Sequence, residues 1–150
     1  VFAINKDLKL VIDDHFKDIR IQPLMQSVWT HLYRRSYAGP RRKLYAYFHE
    51  KRMEVFSFQQ NRFRFSNSYE ATNEHDALYY LLYIWKLTGM DVEKDELYIV
   101  GDIPYQDWLI EKVKQHLKSC RVINQEVYFN NSQLAKRTDI PYDMKTIYLE

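Results

Sequence analysis

The stretch ELYIVGDIPYQDWLIEKVKQHL, residues 96–117, ends an apolar run in Gly101-Asp102 and passes within a few residues into a helix pattern. Many α/β proteins build nucleotide pockets from strand, glycine, turn and helix, because glycine lets backbone N–H groups come close to a ligand. Gly101 and Asp102 are therefore the candidate cofactor-binding residues. A structural reading stands beside this one. Asp102 is placed to accept N–H bonds at the start of the following helix, and Gly101 relieves crowding where a strand turns sharply. Metal chemistry is a second option, since paired divalent ions need several converging carboxylates. The candidate acids are Glu50, Glu74 or Asp76, and Asp102. Glu74 and Asp76 read equally as charges in a helix first turn, and Glu50 as a turn residue.

A third constellation is RRSYAGPRRK, where Arg34, Arg35, Arg41, Arg42 and Lys43 interleave with Tyr33, Tyr37 and Tyr45. Cations and aromatics so mixed can bind single-stranded nucleic acid, cap a helix end, or form a protein interface. The five histidines, His15, His31, His49, His75 and His116, show no metal-ligand spacing. His75 and Asp76 are adjacent, so on a helix they do not face each other. No P-loop, G-x-S-x-G or dinucleotide fingerprint occurs. No catalytic or metal-binding residue is assigned.

The 150 residues suffice for one hydrophobic core. The net charge of +2 is too small to argue for nucleic acid, and the single Cys120 excludes an intrachain disulfide. No apolar run approaches the roughly 18 residues that cross a bilayer. Aromatics are dense, with 13 Tyr, 8 Phe and 3 Trp, while glycine occurs only at 39, 89 and 101. The opening VFAINKDLKL lacks both Met and a signal-peptide pattern, so the chain reads as a piece of a longer protein.

These residues need elements to position them. VFAI (1–4) predicts a short strand, Asn5 caps a helix to about Phe16, and IRIQ (19–22) predicts another strand. Pro23 opens a helix whose Leu24, Val28 and Leu32 share a face. After the break at YAGPRRK the period changes to two, with strands at about 43–49, 52–59 and 62–69 turning at HEKR and QQN. The first strand is apolar on both faces. The third has one wet face, with Phe63 and Phe65 on one side and Arg62, Arg64 and Ser66 on the other. Asn73 caps an aromatic helix that Gly89 stops. A strand (96–100), a helix, a strand (121–129) and one more strand in PYDMKTIYLE complete the pattern.

From Lys43 the order is β-β-β-α-β-α-β, the ribonuclease H-like order, which places the third strand at an edge and the fourth parallel beside the first. Two groups use this core. An actin-like second subdomain wraps phosphate with an Asp-x-Gly hairpin and lays a Gly-Gly turn along adenosine. Here the hairpin reads YFHEKRMEV without glycine, and Asp102 replaces the second glycine. A ribonuclease H-like nuclease needs an acid within the first strand, where Tyr45 and Tyr47 stand.

NRFRFSNSYEATNEHDALYYLLYIWKLTGMD, followed by ELYIVGD, resembles an uncharacterised Bacteroidetes family assigned an actin-like ATPase (ribonuclease H-like) fold. The resemblance spans roughly residues 40–128. It implies a mixed sheet with helices on both faces. Residues 1–40 would be the end of a preceding actin-like subdomain and 41–150 a second subdomain. The module is expected to be cytoplasmic, and against the actin-like Gly-Gly turn Gly101 and Asp102 are expected to be a vestigial adenosine turn. The expected role is a protein-interaction or assembly scaffold without catalysis or cofactor. Its expected partners are a missing N-terminal subdomain and another protein or a homo-oligomer. The alternatives are an ATPase, binding ATP with magnesium, completed by that missing part, and a metal-dependent nuclease.

Overall fold

The computed structural model of the chain describes residues 2–36, 39–60 and 62–148. Its elements are α1 (Lys6–His15), α2 (Leu24–Ser36), β1 (Lys43–His49), β2 (Arg52–Gln59), β3 (Arg62–Glu70), α3 (Glu74–Leu87), β4 (Glu96–Gly101), α4 (Gln106–Lys114), β5 (Cys120–Val122), α5 (Gln125–Tyr128) and α6 (Tyr142–Tyr148). The five strands form one mixed sheet in the order β3-β2-β1-β4-β5. β1, β2 and β3 are an antiparallel meander, and β4 and β5 run parallel to β1. The ribonuclease H-like order expected from the sequence is the observed one.

Alternation along β1 builds two cores. Leu44, Ala46 and Phe48 point to one face, where they meet Leu97 and Ile99 of β4, Leu81 and Ile84 of α3, and Leu109 of α4. Tyr45 and Tyr47 point to the other, where they meet Val28 and Leu32 of α2, Phe129 after α5 and Tyr142 of α6. Covering both faces makes every residue from Lys43 to Phe48 buried. The helix over Leu24–Ser36, which the sequence places in a preceding subdomain, supplies Val28 and Leu32 to this second core. Helix α1 differs, since none of its residues is buried.

Several expected elements are absent or changed. Residues 2–4 and 19–22 are not strands, because no neighbouring strand satisfies their backbone groups; Val1 lies outside the described residues. The run 121–129 stops being a strand at Val122. Asn124 then caps α5, its Oδ1 accepting from the N–H groups of Glu126 (3.0 Å) and Val127 (3.3 Å). The tail is helix α6 rather than a strand, and Pro141 O accepts its first-turn bond from Lys145 N at 3.1 Å. Phe63 and Phe65 do not share a face. A bulge sets Ser57 opposite Phe65 but Phe58 opposite Phe63, so Arg64 is extra. Phe63 then packs on Trp29 (5.5 Å), while Phe65 joins the α3 side.

Candidate functional site

At the C-terminal ends of β1, β4 and β5 lies a crevice of about 500 Å³. Tyr47, Gly101, Asp102, Gln106, Asn124 and Gln125 form one wall, and the segment from Ala135 to Lys145 forms the other. Open α/β sheets place their ligands at such a strand end. The Gly101-Asp102 turn lies at the end of β4, on one wall of this crevice.

Gly101 is held by packing. Its φ is +99°, and a Cβ there would stand 2.0 Å from the Phe48 carbonyl oxygen. Asp102 N donates to that same oxygen at 2.9 Å, which ties the turn to the end of β1. The Asp102 carboxylate does not cap α4. The N-cap of that helix is Tyr105, in the left-handed region with φ 39°, and it makes no side-chain cap bond. The strand leaves Gly101 through a tight turn in which Ile103 N bonds Gly101 O at 3.0 Å, and α4 begins only beyond Tyr105. The exposed Asp102 thus borders the crevice.

The opposite wall is polar and largely self-satisfied. Lys145 is buried, and its Nζ donates to Gln125 Oε1 (2.8 Å) and Ala135 O (3.2 Å). Burial pushes its pKa down, against the pull of Asp139 and Glu126. Arg137 pairs with Asp139, whose carboxyl is held down at about 2 by that guanidinium. The charged lining is balanced: Asp102, Glu126 and Asp139 against Lys136, Arg137 and Lys145. No concentrated positive field faces the cavity. Burial, then the nearby Asp143 carboxylate, raise the Tyr47 hydroxyl well above its ordinary range, with a weaker push from Asp102.

The β1–β2 hairpin leaves no phosphate loop. His49 pairs directly with Arg52, so the turn is Glu50-Lys51 alone, both with positive φ (45° and 61°). The acids do not converge either: among the described residues no group of three or more His, Cys, Asp or Glu could hold a metal ion. Asp76 instead belongs to the start of α3, where its backbone N donates to Asn73 Oδ1 at 2.9 Å. Glu74 lies 3.5 Å from His75.

The basic cluster is consumed by the fold. Arg42 pairs with Asp95 at 2.7 Å, Arg41 with Glu96 at 3.5 Å, and the buried Lys43 donates to Ser36 O at 2.9 Å. Arg35 donates to His31 Nε2 (3.2 Å) and lies over the Tyr128 ring. Tyr45 is buried, and Tyr37 lies outside the described residues. The cluster is therefore no open stacking platform. His31 itself is buried against Phe129 and beneath Arg35. Burial first, then Arg35 and Arg34, lower its pKa to about 4.

Sequence reasoning missed Lys145, Asp143 and Tyr142 because the tail was read as a strand. Pro141 followed by Asp143 was the available helix-start signal.

A model of the protein family of unknown function DUF3822 matches residues 1–120. No curated protein matches. Among solved structures, a Bacteroides thetaiotaomicron protein described as having an actin-like ATPase fold and unknown function superposes with a TM-score of 0.78 at 22% identity. The match covers 97% of this chain and 52% of that one, so the chain spans about half that protein's length. The likeness shows the fold, which is the actin-like one expected from the sequence. Among the described residues no helix is long and apolar enough to cross a membrane.

Proposed function

Since the chain belongs to the DUF3822 family of proteins of unknown function, we propose that it is a degenerate actin-like module that works through protein contacts and performs no catalysis in this segment. The observation that carries this reading is the hairpin. An actin-like phosphate loop needs glycine-freed backbone N–H groups turned toward the ligand. Here two residues, Glu50 and Lys51, close β1 onto β2, and the first of them is an acid. The charge-balanced crevice supports the same reading. Helix α1 supplies a contact surface: Leu8, Leu10, Val11 and Phe16 are all more than half exposed. Its natural occupant is a second subdomain, of the length by which the solved neighbour exceeds this chain, supplied in the same polypeptide or in trans.

An ATP-binding reading has one observation in its favour. The crevice keeps Gly101 and Asp102 at the strand end, with room for a small ligand. Magnesium-bound ATP is the cofactor on that reading, completed by residues from outside this segment.

A thermal-shift titration with Mg-ATP, Mg-ADP and magnesium alone separates the two. A nucleotide at a hundred times its dissociation constant adds about 2.7 kcal/mol of stability. The scaffold reading expects no shift at millimolar nucleotide. A saturable shift that Asp102→Ala removes would overturn it.

A further inference from the structure

Helix α3 is buried on one side through Ala77, Leu81, Ile84 and Trp85. Its opposite side carries Tyr79, Tyr83 and Leu87, which are 62%, 47% and 61% exposed. Lone exposed apolar residues are ordinary, but these three fall at i, i+4 and i+8 and form one continuous strip. The Tyr79 and Tyr83 rings already stack on each other, 6.0 Å apart and 10° from parallel. Two rings held parallel on a helix surface are a rigid contact plate with little side-chain entropy left to lose on binding.

The charges flanking the plate specify what covers it. Exposed Asp76 lies three residues before Tyr79, and exposed Lys86 three residues after Tyr83. The pattern acid-Tyr-Tyr-base is its own complement when read backwards. In an antiparallel pair of α3 helices related by a two-fold axis passing midway between Tyr79 and Tyr83 on the exposed side, residue i faces the partner's residue 162 − i. Tyr79 then meets Tyr83, and Asp76 meets Lys86, each contact occurring twice. The 3-4-3 spacing of 76, 79, 83 and 86 is also the spacing of a helix-pair seam. From the self-complementary charges and the ring plate, we infer that α3 is the interface for a second copy of this chain. The axis is a two-fold one, and the interface isologous. This pairing uses neither the crevice nor α1, so it stands or falls independently of the scaffold reading.

A single helix face is smaller than the roughly 1,200 Å² of a stable interface, which places this pairing among weak, reversible ones, to be sought from micromolar to millimolar concentration. Sedimentation equilibrium of the 150-residue chain across this range tests the idea. The wild type is expected to dimerise reversibly. Asp76→Lys and Lys86→Asp each place like charges opposite each other twice, and each should weaken the homodimer by about tenfold or more. Mixed in equal amounts, the two variants should form a heterodimer, because every like pair then becomes an opposite pair. The Asp76→Lys variant keeps the backbone cap bond, in which Asn73 Oδ1 accepts from the N–H of residue 76, and gives up the bond from Asn73 Nδ2 to the carboxylate (2.7 Å). Tyr79→Arg is a further variant, expected to give a monomer without lowering Tm. A wild-type chain that stays monomeric at millimolar concentration would overturn the inference. So would a dimer indifferent to both reversals, or variants that fail to pair on mixing.

Discussion

On the α3–α4 side of the sheet most buried side chains are aliphatic, among them Leu44, Ala46, Val55, Leu81, Ile84, Leu97, Ile99 and Leu109, with Phe48 and Trp85 as the aromatic members. The opposite side buries Tyr45, Tyr47, Phe56, Phe129 and Tyr142, together with His31, Asp143, Lys145 and Thr146. Apolar packing there must coexist with buried polar groups, some hydrogen-bonded and some, such as the Tyr47 hydroxyl and Trp29 Nε1, without a partner among the described residues. Thr146 Oγ1 donates to Asp143 O at 2.6 Å, and it lies 2.9 Å from Ser27 Oγ, linking α6 to α2. A buried polar group is costly when unpaired, so this side specifies one arrangement more strictly than the first. The candidate crevice opens on this second side. One face is mainly apolar, and the other adds buried polar groups and borders the crevice.

The variant expected to do most damage strikes where the two faces meet. A Cβ at residue 101 would sit 2.0 Å from Phe48 O and 3.0 Å from the Tyr47 ring. Phe48 belongs to the first core and Tyr47 to the second. The residue would also be forced to hold φ +99°. Gly101→Ala should therefore cost on the order of 4 kcal/mol, read as a large drop in the urea midpoint. A small change would mean that the strand end yields easily and that glycine is kept for a ligand.

How much was legible divides along the same line. The meander, the parallel β4, the two-sided β1 and the Asn73 cap follow from apolar period and cap residues, which act locally. Gly101 was found as a strand-end turn for the same reason. The second face depends on non-local decisions. Whether 124–128 continues as a strand depends on Asn124 competing for backbone N–H groups, and the fate of 141–148 on α6 docking against α2. A one-residue bulge at Arg64 reversed Phe63, which no alternation pattern can show. The basic cluster stayed open to three readings because sequence shows charges but hides their partners, here Asp95, Glu96 and the Ser36 carbonyl.

A smaller effect should expose the second face through pH. His31 titrates near 4 when folded and near 6.5 when unfolded, because burial and the guanidinium groups of Arg35 and Arg34 oppose its charge. The unfolded chain thus binds the proton first. Stability is complete above pH 6.5, declines as pH falls through that value, and levels off below about 4. The full loss is roughly 3 kcal/mol. His31→Gln should flatten the slope between pH 6.5 and 4, measured by urea unfolding at several pH values. An unchanged slope would move the titration elsewhere and remove His31 from the list of groups that make this face demanding.

The smallest expected effect lies in the hairpin that both faces share. Glu50 and Lys51 occupy left-handed backbone regions without being glycine, a conformation costing about 1–2 kcal/mol per residue. Two-residue hairpins of this kind favour glycine at the second position. Lys51 O accepts from Ala71 N at 2.9 Å, a backbone bond that survives any side-chain change. Lys51→Gly should therefore raise stability by about 1 kcal/mol, or about 2–4 °C in Tm for a domain of this size. If Tm rises and nucleotide still produces no shift, the strained turn served neither ligand nor fold, and β1 and β2 are held in register by the packing on their two faces. If Tm falls, the Lys51 side chain contributes more to this turn than the strain it carries.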